Sequence, residues 1–530
     1  MPDKSHCIIL KDRPDVIKYV ETLLKDYAKE PQSTRFDGII NPPSSTRNIP
    51  KVFVWCPVSH SDVKITCHRH NKVFACWRWT DDFVNPVSGY NPRVAYDLFG
   101  NVLIIQRIYL CTHGCSTHKE RALSVDFLNS LPQVTRNPLP IILSHRSACT
   151  SRLMDYVNSQ VLLGINFLQT AEGIALLNFK EYCRQNLKSP DENVRCNNGS
   201  SNDHFGFNKD NFLFTWPSND NIMHLFLRDY NLKKKLYDSS FKKITSMGIS
   251  TDHTFKVSKN IGFARKVDGK FTKQYSNCFI VLSDSGEVMT WRLTRSTAFA
   301  EIEDLLSELK QRLESANVQL THVYVDDCCR VRDKYMSVFG NVEVLLDLFH
   351  ACRRITSTTN KRSVLSAQFS KEFGLIFRQD EDQGNVRLRH TPDVGKIEEN
   401  LNVLINRWAY VKDGPVTQET LHAIENLRVH IRKGCLSDIP PGCGTERNEY
   451  IHRILNRSLL VGSTSISVEL ALAILTIILF HMNTKKRYKH VFGDAHLQLG
   501  VPVEWVTASE KLDSHSEVNM EPIKRVQGGE

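Results

Sequence analysis

The chain has 530 residues, of which 41% are apolar and 24% charged. That is too long for one ordinary domain and typical of folded protein in water, so a fibrous or wholly disordered chain is excluded and two to four domains are expected. A net charge of +10 points to a polyanionic partner without saying where the contacting patch lies.

Residues 1–50 offer one amphipathic helix, Asp15 to Lys29, with Val16, Val20, Leu23 and Leu24 on one face, then a turn-rich linker, PPSSTRNIP. The opening stretch MPDKSHCIILKDRPD has no long apolar run. With fifteen cysteines, an odd number, this fits reduced thiols of the cytosol or nucleus better than a disulfide framework. Residues 51–120 are rich in cysteine, histidine and aromatics. Cys67-x-x-His70 and Cys111-x3-Cys115 are two ligand pairs that would suit a small zinc-ribbon-like β module. Cys56, Cys76, His113 and His118 are alternative ligands. From 121 to 245 helical patterns dominate, with SRLMDYVNSQVLLGINFLQ and EGIALLNFKEYCRQ as the clearest.

From 246 the rhythm changes. KITSMGISTDHTFKV reads as a strand, and SNCFIVLS and EVMTWRLT as a hairpin closed by DSG. A helix follows, Ala298 to Leu313, with Ile302, Leu305, Leu306, Leu309 and Leu313 on one stripe. Then come the strand HVYVDD, a short helix to Phe339, the strand VEVLLDL and a helix from Phe349. Three strands, helix, strand, helix, strand, helix is the element order of the ribonuclease H fold. Residues 357–440 read as a helical insertion in which RQDEDQGNVRLRH is an exposed loop. Leu470 to Met482 is apolar over about thirteen residues, short of the about twenty that span a bilayer; we expect a buried helix and no membrane contact. Beyond about 490 periodicity fades, and 485–530 is expected to be a disordered tail.

Two aspartates stand out. In a ribonuclease H-like sheet Asp252 on the first strand and Asp326 on the fourth would face each other across about 4.8 Å, one strand spacing. Carboxylates that close repel unless cations lie between them, and magnesium or manganese prefers such oxygen ligands. Two ions about 4 Å apart would serve the attacking and leaving oxygens of phosphoryl transfer. A third acidic ligand is then needed, and Glu449 in GTERNEYIHRIL is the candidate. His452, one turn later, would share its face.

TDHTFKVSKNI, HVYVDDCCRVRDKY, LLDLFHACRRI and GTERNEYIHRILN with ISVELALAILTIILFHMN resemble the blocks of eukaryotic DDE transposases, nearest to the Mutator-like and related groups. The likeness covers about 246–484. It implies a ribonuclease H-like α/β core in which Asp252, Asp326 (rival Asp327) and Glu449 (rival Glu446) are the catalytic acids holding Mg2+ or Mn2+. His350 would lie near the scissile phosphate. Asp347 stands where the Mutator-like pattern has the cysteine of a Cys-x-x-His pair, which puts a structural zinc there in doubt. The resemblance further implies that the 51–120 module contacts DNA. The basic runs LKKKLYDSSFKKI, CRRITSTTNKR and TKKRYKH would neutralise phosphates, and KKRYK suits nuclear import. The resulting expectation is a nuclear transposase that cleaves DNA at transposon ends and joins them to target DNA, with a second copy of the chain as a further candidate partner. The alternatives are a domesticated, catalytically silent zinc-containing DNA-binding protein and a plain metal-dependent nuclease.

Overall fold

The computed structural model describes residues 14–29, 38–42, 49–55, 66–67, 72–73, 76–79, 93–110, 119–124, 127–128, 131, 139–144, 147–187, 215–264, 269–383, 386–440, 446–460 and 465–496. The architecture is mixed α/β with several sheets. Two compact units meet at Leu232/Lys233, a point inside one long helix.

The first unit opens with α1 (Pro14–Lys29). Its face of Val16, Val20, Leu23 and Tyr27 is buried against Ile40, Val52, Val54, Leu103 and Ile105. Those last five belong to the strands β1 (Ile39–Ile40), β2 (Lys51–Trp55) and β7 (Asn101–Leu110). Between β2 and β7 lie β3 (Thr66–Cys67), β4 (Lys72–Val73), β5 (Cys76–Trp79) and β6 (Arg93–Tyr96). β8 (Lys119–Arg121), β9 (Ile141–Leu143) and β10 (Ala148–Thr150) follow. The main sheet runs β1-β2-β7-β6-β10-β9, with β5 and β8 also paired to β7. Both its faces are covered. Phe53 and Trp55 enter one core and Val52 and Val54 the other, which is why KVFVW is continuously apolar instead of alternating.

Strands therefore continue to Thr150, where sequence reading expects helices from 121. Strands of three residues are too short to display a period of two. Helices α2 (Ser151–Leu162) and α3 (Phe167–Leu187) follow, then α4 (Asn219–Lys242), which carries the chain into the second unit. The backbone of Cys67 lies in the β3–β4 hairpin. Its side chain, together with His70, Cys111, Cys115 and the alternatives Cys56, His113 and His118, lies outside the described residues, so the expected zinc ribbon does too.

The second unit is organised by a five-stranded sheet of order β15-β14-β11-β16-β17. β11 is Gly248–Thr254, β14 Asn277–Ser283, β15 Val288–Thr294, β16 His322–Val325 and β17 Glu343–Leu346. β14 runs antiparallel to β11 and β15 antiparallel to β14, while β11, β16 and β17 are mutually parallel. Gly286 closes the β14–β15 hairpin at φ +77°, a left-handed conformation that glycine adopts without strain. A small sheet of β12 (Ile261–Ala264), β13 (Phe271–Lys273) and β20 (Ile466–Ser467) lies apart.

Helix α5 (Glu303–Ser315) and the residue before it bury the stripe Ile302, Leu305, Leu306, Leu309 and Leu313 against the sheet residues Phe279, Val281 and Val323. α6 (Cys328–Phe339) links β16 to β17, and α7 (Leu348–Ser357) follows β17. Between 357 and 440 come α8 (Ser366–Leu375), α9 (Val394–Trp408) and α10 (Gln418–Arg432). RQDEDQGNVRLRH is not a loop: β18 (Gln379–Gln383) and β19 (Val386–His390) pair antiparallel within it. The strand QDEDQ is polar throughout and leaves no period of two in hydropathy, while VRLRH does alternate, over only five residues.

Two more helices complete the unit, α11 (Glu446–Leu460) and α12 (Val468–His496). α12 is longer than the apolar run that announces it and extends past the point where a tail is expected. Val468–Arg487 is long and apolar enough to cross a membrane, but 67% of its apolar window is buried within the protein. Its Asn483 side chain accepts from Val288 N (2.7 Å) and donates to Val288 O (2.9 Å), occupying the open edge of β15 as another strand would.

Candidate metal centre around Asp252, Asp326 and Glu449

Parallel pairing of β11 and β16 matches Gly248 with His322 and Ser250 with Tyr324. Two residues further along that register, Asp252 stands opposite Asp326, which directly follows β16. Side chains alternate between faces of a strand. Thr251 accordingly turns the other way and shares a 2.7 Å hydrogen bond with Tyr335 of α6. Asp327, the next residue in the turn, precedes α6 and makes no side-chain cap to it.

α11 brings the third acid. Asn448, fully buried, accepts from Ser250 Oγ at 2.7 Å and donates to Ile280 O at 3.3 Å. This amide holds the helix against β11 and β14, with Glu449 and His452 toward Asp252. Ligand atoms of Asp252, Glu449 and His452 lie within 4.8 Å of one another, as do those of Asp252, Asp326 and His350. Glu446, the rival acid, is the first residue of α11; its side chain lies outside the described residues.

α7 supplies the remaining members. Asp347 caps it by accepting from His350 N at 2.8 Å, and a carboxylate oxygen of the same residue lies 2.7 Å from His350 Nδ1. That nitrogen is also 2.9 Å from Asp326 Oδ1. This is an ion-pair distance without hydrogen-bond alignment, because Asp326 Oδ1 is buried and accepts no hydrogen bond from the described residues. His350 Nε2 is 3.6 Å from Glu449 Oε1. Arg354, one turn further along, donates to the main-chain oxygen of Asp326 at 2.5 Å. Asp347 is thus the orienting partner of His350.

Burial raises the Asp252 carboxyl, and the nearby charge of Asp326 raises it further, to about 8, against the opposing effect of His350. Burial also disfavours the charged His350 ring, but the adjacent carboxylates of Asp326 and Asp347 outweigh it and raise that ring to about 10. His452 moves the other way, lowered to about 4 chiefly by burial. It is therefore neutral at pH 7, with its Nε2 buried and without a partner among the described residues. The cluster combines convergent carboxylate oxygens, a buried acceptor lacking a donor and a carboxyl that ionises reluctantly. Such a set fits a hard divalent cation, whose charge would restore the ionised form of Asp252.

A second group of potential ligands lies elsewhere in the same unit. Cys328, Cys329, His430 and Cys435 bring their ligand atoms within 4.8 Å of one another. Sequence reading passes it over because the two halves are some hundred residues apart and neither has the spacing of a familiar zinc motif. No protein-family model matches the chain, and no curated protein matches it.

Proposed function

We propose that the second unit is a ribonuclease H-like DDE domain, and that the protein cleaves DNA phosphodiesters and transfers the freed 3′ hydroxyl to target DNA. One observation carries the reading: Asp252, on a central strand, has a ligand atom within 4.8 Å of one from Asp326, at the end of the parallel neighbour strand, and of one from Glu449, on a helix beyond a long insertion. The sheet order β15-β14-β11-β16-β17, an antiparallel hairpin followed by parallel strands, is the order expected of a ribonuclease H-like core and supports the reading. A purely structural role explains the cluster poorly, because burying Asp252 beside the part-exposed carboxylates of Asp326 and Glu449 disfavours its charge.

Asp252, Asp326 and Glu449 would hold Mg2+ or Mn2+, which supplies positive charge for the attacking and leaving oxygens at phosphorus. The chain's own residues do the remainder. Asn448 fixes Glu449 relative to the strands. Asp347 fixes His350, whose positive ring beside Asp326 can face a phosphate oxygen. Neutral His452 presents its Nδ1 to Asp252 at 3.6 Å. In cleavage a water oxygen bonds to phosphorus as the bond to the 3′ oxygen breaks, leaving a 3′ hydroxyl and a 5′ phosphate. In transfer that hydroxyl attacks a target phosphodiester and displaces the target's own 3′ oxygen. One P–O bond forms for each that breaks, so no further cofactor is required.

Exposed Arg353, Arg354, Lys361 and Arg362 lie on or just after the helix that carries His350, where they would contact phosphates. Incubating the full chain with supercoiled plasmid and Mg2+ or Mn2+ tests the reading, because a single nick relaxes the circle. We expect cation-dependent nicking that chelator and Glu449→Gln each abolish. A native protein that binds DNA yet never nicks it with either cation would instead support a silent DNA-binding protein.

A further inference from the structure

Cys328 and Cys329 are the first two residues of α6, immediately after the turn that bears Asp326. His430 belongs to the last turn of α10, and Cys435 follows a reversal made by Gly434 at φ +72°. That reversal is well defined: Gly434 N donates to Ile431 O at 2.9 Å and Cys435 N to His430 O at 3.0 Å. Cys435 O accepts from Leu346 N at 2.8 Å, which fixes it against the end of β17. Two segments distant in sequence are therefore held so that three thiols and one imidazole face each other.

Their spacing is informative. Cys329 Sγ lies 3.9 Å from Cys328 Sγ and 4.0 Å from Cys435 Sγ. His430 Nδ1 lies 3.7 Å from Cys328 Sγ and 3.4 Å from Cys329 Sγ. A tetrahedron with Zn–S near 2.3 Å and Zn–N near 2.0–2.1 Å has S···S edges of about 3.8 Å and S···N edges of about 3.5 Å. Four of the six edges stand near those of a tetrahedral shell of three sulfurs and one nitrogen, and the other two are within 4.8 Å. A chance meeting of thiols has no reason to include a ring nitrogen at that distance. The charge balance is also suitable: three thiolates around Zn2+ leave one negative charge, and the Arg332 guanidinium lies 3.2 Å from Cys435 Sγ, where outer hydrogen bonds tune a metal site.

We propose that Cys328, Cys329, His430 and Cys435 bind one structural Zn2+, which ties the end of the 357–440 segment to the start of α6 and so steadies the turn carrying Asp326. The ligand set is closed, with no position left for water, as in structural rather than catalytic zinc sites. The site stands independently of the phosphodiester chemistry. It is also separate from the cysteine and histidine pairs near the N-terminus, so total zinc content alone does not identify it.

Residue-resolved alkylation tests the site on the full native chain. Cys329 is exposed and as a free thiol would react readily, whereas a zinc-bound thiolate is shielded. We expect iodoacetamide to label the Cys329 peptide at least about tenfold more slowly before treatment with a strong chelator than after it. In parallel, Cys329→Ser should lose one equivalent of zinc relative to the native chain while keeping its far-ultraviolet circular dichroism. Native protein refolded with Co2+ should display the thiolate-to-metal charge-transfer and visible bands of a tetrahedral site, and Cys329→Ser should weaken them. Equal labelling rates with and without chelator would overturn the proposal. Labelling that requires a reductant instead of a chelator would also overturn it, since that indicates a disulfide. An unchanged zinc content in folded Cys329→Ser would do the same. Plasmid nicking is not among these readouts, so failure here and failure of the proposed DNA cleavage are distinguishable.

Discussion

Asp97 in the first unit and Asp252 in the second begin from the same position. Each lies on or just after a sheet strand, and each is buried, 1% and 9% exposed. Burial alone disfavours ionisation of both. The neighbours then divide them. Asp97 receives Lys51 Nζ at 2.6 Å, Thr150 Oγ1 at 2.7 Å and the Arg152 guanidinium, and these outweigh burial and hold its carboxyl below the usual range. Asp252 faces Asp326 and Glu449, and its carboxyl is raised. A buried aspartate with built-in cations is a structural tie. One that faces other carboxylates depends on a cation from outside, and that dependence marks the candidate site.

The largest effect expected from this contrast is on catalysis. Asp252→Asn or Glu449→Gln should reduce plasmid nicking by at least about 10³-fold, several kcal/mol of transition-state stabilisation, with DNA binding retained because basic residues supply it. Asp97→Asn should leave the nicking rate per folded molecule unchanged. A nicking-dead Asp97→Asn protein of native fold would remove the distinction.

Stability should respond in the opposite sense. Asp97→Asn leaves Lys51, only 18% exposed in its side chain, with the Phe99 carbonyl but without its carboxylate, and should destabilise the protein by roughly 2–4 kcal/mol in denaturant unfolding. This is less than a fully buried pair would lose, because Arg152 remains half exposed. In chelator, Asp252→Asn should leave the melting temperature unchanged or raise it, since it removes repulsion. With a divalent cation at about 100 times its dissociation constant the native chain should gain roughly 2.7 kcal/mol and Asp252→Asn should not.

The pH dependences should also diverge. A carboxyl lowered in the folded state contributes stability above its unfolded value and loses it as pH falls through the folded one. The advantage of native protein over Asp97→Asn should therefore be full at neutral pH and shrink below about pH 4. Asp252, raised to about 8, behaves inversely. Without metal, the native chain should lose stability relative to Asp252→Asn as pH rises from about 4 to about 8, and hold constant beyond. Parallel curves for the two variants would mean that the two environments do not differ as described.

The smallest effect sharpens the role of His350. Asp347→Asn weakens both a helix cap and the charged partner of the ring. We expect about 1 kcal/mol of destabilisation and a lower His350 pKa, measurable by nuclear magnetic resonance titration of the ring. An unmoved pKa would show that Asp326 alone sustains the charge.

Much of the second unit was legible in order of residues alone. The α5 stripe, the DSG turn and the strand HVYVDD announce themselves because a helix repeats every 3.6 residues, a strand every two and a tight turn needs glycine. The chemical identity of the candidate acids, Asp252, Asp326, Glu449, and of the histidines beside them was legible too, since carboxylates near strand ends and a Glu-x-x-His pair on a helix are local facts. The β18–β19 hairpin and the short strands before Thr150 were not: β18 is polar throughout, β19 alternates over only five residues, and strands of three are too short for a rhythm. Tertiary structure alone decided which groups meet. It brought Asp326 beside Asp252 and His350, lodged Asn448 between α11 and the sheet, and gathered Cys328 and Cys329 from the start of α6 with His430 and Cys435 from the end of the 357–440 segment. It also decided that Asp97 is neutralised and Asp252 is not. The reason is physical: ionisation and coordination depend on the field and the ligand atoms within a few ångströms, and those are contributed by residues that the chain keeps from 46 to 198 positions apart until it folds.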